Sequence, residues 1–75
     1  MFAFLLITLD PDTERIVGEK LEELDQVKNI HMIKGDFDLI VKVEVDDLLS
    51  LQNFIMDNVR PIREIQRTDT LIVAQ

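Results

Sequence analysis

The sequence predicts an α+β fold with the element order β-α-β-β-α-β. Three features carry that expectation: an apolar run at Phe2–Leu9 interrupted only by Thr8, a period-2 alternation at Phe37–Val45, and an amphipathic helical stripe following each of them. The two βαβ halves suggest a ferredoxin-like arrangement, a four-stranded antiparallel sheet carrying both helices on one face. The 75 residues make one domain, with no linker, low-complexity tract or short repeat.

Phe2–Leu9 has the length of a buried strand and stops at Asp10-Pro11. Asp10 is placed as an N-cap, with Pro11 at the first helical position and acidic residues in the first turn. Val17, Leu21 and Leu24 then recur at helical spacing, beside Ile16, and the helix is expected to end near Leu24-Asp25. Lys28–Lys34 reads as the second strand, with Ile30 and Met32 on one face and His31 and Ile33 on the other. Gly35-Asp36 signals a tight hairpin, because glycine enters the positive-φ region of such turns without steric cost.

In the third strand Phe37, Leu39, Val41, Val43 and Val45 are assigned to the core face. Asp38 and Ile40 begin the opposite face. Asp46-Asp47 caps a second helix from Leu48 to about Val59, which Pro61 ends. Ile65–Gln75 is the last strand, with Leu71 and Val73 on one side and Ile72 and Ala74 on the other.

Helices on one face leave the other face of the sheet bare. Leu5 or Leu6, Ile30 or Met32, Ile40, and Ile72 with Ala74 are its candidates. A contiguous patch of that kind exceeds what monomers usually expose. A hydrophobic content of 47% in so short a chain points the same way, so a dimer formed through the sheet is expected.

The net charge of −7 argues against direct contact with nucleic acid and with anionic membranes. Met1–Leu9 is too short to span a bilayer and lacks a basic n-region, so a cytoplasmic protein is expected. No catalytic residue or metal site is assigned. There is no cysteine, two glycines exclude phosphate-binding loops, and His31 is the one histidine. His31 is read as a packing or interface residue, with the lining of a pocket as the other reading. Ser50 is read as a solvated helix residue.

Two polar clusters remain. Asp36 and Asp38 flank the hairpin, where turn chemistry alone accounts for acidic residues. A carboxylate at the edge of an interface would also pair a desolvated ammonium. Thr68 and Thr70 share one face of the last strand, where β-propensity alone accounts for threonine. In a ferredoxin-like sheet that strand pairs with the first, so the threonines are expected to meet a hairpin from a neighbouring subunit.

Lys34-Gly35-Asp36-Phe37-Asp38-Leu39-Ile40-Val41-Lys42-Val43, with the later Leu51-x-x-Phe54-Ile55 and Ile65-x-x-Thr68-x-Thr70-x-Ile72-Val73, resembles the ligand-binding C-terminal RAM domain of the Lrp/AsnC (feast/famine) transcription regulators. The resemblance covers essentially the whole chain. It implies a homodimer that assembles further into a ring such as an octamer, and a free amino acid bound between dimers. It implies ligand contacts at Gly35, Asp36 and Asp38 on the hairpin and at Thr68 and Thr70 on the last strand. The apolar outer face suggests an aliphatic or methionine-like amino acid.

The family's helix-turn-helix is not in the sequence, which opens directly on the first strand. A stand-alone domain that modulates transcription by joining full-length family members is therefore expected, with no cofactor and no enzymatic role. Two alternatives share the element order: an ACT-like amino-acid-binding subunit of an enzyme, and a small dimeric α+β barrel enzyme.

Overall fold

The computed structural model describes residues 1–74. Its strands are β1 (Phe2–Leu9), β2 (Val27–Met32), β3 (Leu39–Glu44) and β4 (Ile65–Ile72), and its helices are α1 (Glu14–Glu22) and α2 (Leu48–Phe54). They form one antiparallel sheet of order β2-β3-β1-β4, as the ferredoxin-like reading requires. The last strand was expected to run to Gln75; it ends at Ile72, and Gln75 lies outside the described residues.

Alternation in β1 fixes the two faces. Ala3, Leu5, Ile7 and Leu9 are buried, while Phe2, Phe4, Leu6 and Thr8 are only partly covered. Directly paired residues share a face, so Leu39, Val41 and Val43 join the buried side. Val17 and Leu21 of α1, Leu51 and Phe54 of α2, and Val59 close that core from above. Filling it with aliphatic side chains contributes about 1.5–3 kcal/mol per fully buried residue.

The first helix is shorter than its sequence pattern suggests. Asp10 does not cap it: the Asp10 carboxylate accepts from Gln66 Nε2 at 2.9 Å, and Thr13 occupies the cap position without a side-chain cap bond. Asp12 takes a positive φ of 63°, which aspartate tolerates, and the turn it makes delays the helix to Glu14. Near its end, Lys20 Nζ lies 3.6 Å from the buried Glu64 Oε1 and ties α1 to the approach to β4.

The second helix begins as expected. Asp47 Oδ1 accepts the Ser50 N–H at 2.8 Å, and that bond, first of all from the backbone amide, holds its carboxyl below the ordinary aspartate value. The helix reaches Val59, but its last turn, Ile55–Val59, is π-helical, and Arg60 N–H bonds back to Ile55 C=O at 2.9 Å. Pro61 has no N–H and cannot extend the helix further.

Candidate ligand-binding site

The β2–β3 connection is wider than a two-residue turn. Ile33 N–H bonds Asp38 C=O at 2.9 Å, leaving Lys34–Phe37 as a four-residue loop. Gly35 sits there at φ 128°, in the region that side chains avoid. The loop is anchored to the end of β1 three times. Asp38 N–H bonds Ile7 C=O at 2.8 Å, and Thr8 Oγ1 donates to Asp36 C=O at 3.1 Å. In the third anchor Leu9 N–H donates to Asp38 Oδ2 at 2.7 Å.

Asp38 therefore acts as a rung of the sheet rather than as a free carboxylate leading the outer face. Asp36 is exposed, and its carboxylate enters no ion pair among the described residues. Phe37, expected on the core face, lies outside the strand, and its ring is 5.4 Å from the Arg67 guanidinium. Arg67 pairs with Thr8 on the outer side of the sheet, so Phe37 belongs to that side too.

Thr68 and Thr70 pair with Ile7 and Leu5, which puts both hydroxyls on the helix side. With Ile55, Arg60, Ile65, Gln66 and Arg67 they line a cleft of about 360 Å³. The π-helical turn forms one wall of the cleft, and such turns recur at functional sites. The hairpin and the cleft thus flank the same end of β1, about two strand spacings apart, with Phe37 on the outer side, Thr68 and Thr70 on the helix side, and Arg67 reaching both. Within one chain, Asp36 does not meet the threonines.

The outer face differs in detail from expectation. Leu6 and Ile40 lie on it, joined by Phe2 and Phe4. Ile30 and Met32 do not: they pair with Val41 and Leu39 on the helix side, and Asn29 and His31 take the outer positions. A bulge between Val27 and Asn29 is the reason, since its extra residue turns both Val27 and Ile30 inward. Likewise Leu71, opposite Phe4, faces outward, and Ile72, opposite Ala3, does not. His31 is exposed opposite Ile40.

Sequence reasoning overlooked Arg60 and the Arg67–Asp69 pair at 2.9 Å beside Phe37. The period-2 alternation of Arg67, Asp69 and Leu71 was the available signal for the second; nothing local marked Arg60. Among the described residues no group of three metal-ligating side chains comes together, and no helix is long and apolar enough to cross a membrane.

A four-stranded antiparallel sheet with both helices on one face and an open second face defines a small α+β domain of ferredoxin-like topology. The model of the Lrp/AsnC ligand binding domain matches residues 2–75, and the chain belongs to that family. An uncharacterized HTH-type transcriptional regulator of Pyrococcus horikoshii is 33% identical over 73 residues, which are 93% of this chain and 49% of that protein. The crystal structure of FFRP-DM1 superposes with a TM-score of 0.93 at 42% identity, covering 97% of each chain. That of E. coli AsnC gives 0.93 at 32% identity, over 99% of this chain and 50% of AsnC. The chain spans about half the length of the curated relatives it matches.

Proposed function

We propose that this domain senses a free amino acid for transcription regulation, by clamping it between subunits of a homo-oligomer. The observation that carries the reading is that the hairpin carrying Asp36 and the cleft carrying Thr68 and Thr70 flank one end of β1 without meeting within one chain. Each chain offers a hairpin to one neighbour and a cleft to another. Membership of a ligand-binding family supports it, as do relatives that are transcriptional regulators.

In this reading Asp36 pairs the ligand's ammonium, while Asp38 holds the loop in place. Backbone N–H groups around Gly35 are available for the carboxylate, as turns of this sort favour anions. Thr68 and Thr70 of the adjacent subunit add hydroxyl contacts, and Arg60 beside them supplies a positive charge. The apolar outer face formed by Phe4, Leu6, Ile40 and Leu71 joins two chains into the dimer from which a ring such as an octamer is built. An aliphatic or methionine-like side chain suits the apolar surroundings.

A ligand held between dimers stabilises the ring by mass action, about 2.7 kcal/mol at a hundredfold excess over its dissociation constant. Effector level thereby sets the assembly state, and co-assembly with full-length regulators of the family passes that state to DNA. Sedimentation velocity with L-leucine, L-isoleucine and L-methionine tests the assembly step. Growth from dimer to a larger species with one of them is expected; an unchanged mass with all three contradicts it. Co-purification from the native host tests the partnership.

A further inference from the structure

We propose that the cleft between α1 and the edge strand β2 docks an extended, basic peptide segment of a partner protein, which adds to β2 as a fifth strand. The cleft measures about 430 Å³ and is separate from the hairpin and from the Thr68–Thr70 cleft. The inference does not depend on amino-acid binding.

Three independent observations converge there. The first is the edge. β2 is a terminal strand of the sheet, and among the described residues no strand neighbours its far side. Ile33 N–H points to β3, so by alternation the main-chain groups of Met32 and Ile30 point away from it, free to pair another strand. Lys28 lines one end of the cleft, with its ammonium held to the Asp25 carbonyl at 3.0 Å.

The second is an apolar floor that the helices leave open. Ile30 and Met32 point to the helix side, yet Met32 is 75% exposed. Gly18 of α1 faces the same cleft, and a side chain built there would meet nothing within 4 Å. Glycine inside a helix costs about 1 kcal/mol relative to alanine, and no close approach within this chain requires it. What it leaves is a notch above Ile30 and Met32. Side chains of an added strand would alternate into that notch, as strand-addition complexes do.

The third is charge. Glu14 and Glu22 stand on the helical rim without an ion-pair partner among the described residues, Arg15 is matched by Glu19 at 3.3 Å, and with Lys28 counted the charged lining still carries one more carboxylate than cation. A second copy of this chain would bring the same acidic rim and a net charge of −7, so self-pairing along β2 is opposed. Lysine or arginine flanking an apolar residue complements the rim.

The test is an NMR titration of the ¹⁵N-labelled 75-residue chain with the acetylated, amidated peptide Lys-Val-Arg-Val-Lys. Saturable shifts at Ile30, Met32 and Gly18 are expected, with affinity falling about tenfold or more in Gly18→Leu, which fills the notch. Glu14→Gln with Glu22→Gln keeps the backbone intact and is expected to weaken binding and flatten its salt dependence. Shifts at Leu6, Ile40 and Leu71 instead, equal binding of Glu-Val-Glu-Val-Glu, unchanged affinity in both variants, or no shifts at millimolar peptide would each overturn the proposal.

Discussion

Asp38 Oδ2 accepts the Leu9 N–H at 2.7 Å and continues the β1–β3 ladder one step past the last strand residue. A carboxylate doing a backbone's work holds the hairpin against β1, and through it the exposed Asp36. Asp38→Ala should therefore cost about 2 kcal/mol of stability, typical of a bond to a charged group. Asp38→Asn, which retains an acceptor, should recover part of it. Urea unfolding of the three proteins measures this. A loss of ligand affinity in Asp38→Ala would be read as loop displacement, whereas Asp36→Ala tests the charge itself.

Gly35 has a φ of 128° and open space around the position where a Cβ would stand. Gly35→Ala should cost about 1–3 kcal/mol from backbone strain alone. Because nothing clashes, the penalty should be the same with alanine and serine at this position, which paired denaturation curves would reveal.

Neighbouring residues of β1 should behave oppositely. Leu5 is fully buried in the core, and Leu5→Ala should destabilise by about 2–5 kcal/mol. Leu6 lies on the outer face opposite Ile40, so Leu6→Asp should leave the fold intact and split the dimer proposed through that face. Circular dichroism with light scattering separates the two outcomes: a folded dimer for Leu6→Asp would remove the sheet face from the interface.

Asp47 gives a pH signature. Its folded-state pKa is depressed by the Ser50 amide, so its contribution is present above the ordinary aspartate value and is lost as pH falls through the lower folded value. Asp47→Ala should lower the melting temperature at neutral pH and should differ less from the parent as the solution is acidified. An unchanged gap between the two melting curves down to about pH 2 would contradict the cap's role.

The order of elements was readable because hydrophobic periodicity reports strand and helix directly, as at Leu39–Glu44 and Leu48–Phe54. What alternation states is a partition, and it leaves open which side is which. Two bulges settle that here. One turns both Val27 and Ile30 inward, and the other, between Thr8 and Leu9, sets the register that puts Thr68 and Thr70 on the helix side. An irregularity of one residue has no sequence signature strong enough to be seen beside the alternation it interrupts.

Asp38 illustrates a different limit. Its position at the hairpin was legible, but its bond to a residue 29 positions away was not. Nor could local pattern place Phe37 under Arg67, since a strand continued by alternation puts the ring in the core. The two polar clusters were therefore recognisable in the sequence, while the sides their residues take belong to the folded sheet.

Calorimetry of the chain against the common amino acids tests the central claim most directly. One aliphatic or methionine-like amino acid should give saturable heat, and that heat should vanish both in Asp36→Ala and in Thr70→Val. Mixing the two variants should restore part of it, because mixed rings pair an intact hairpin with an intact cleft. No heat with any amino acid, or heat indifferent to both substitutions, would contradict a site shared between subunits.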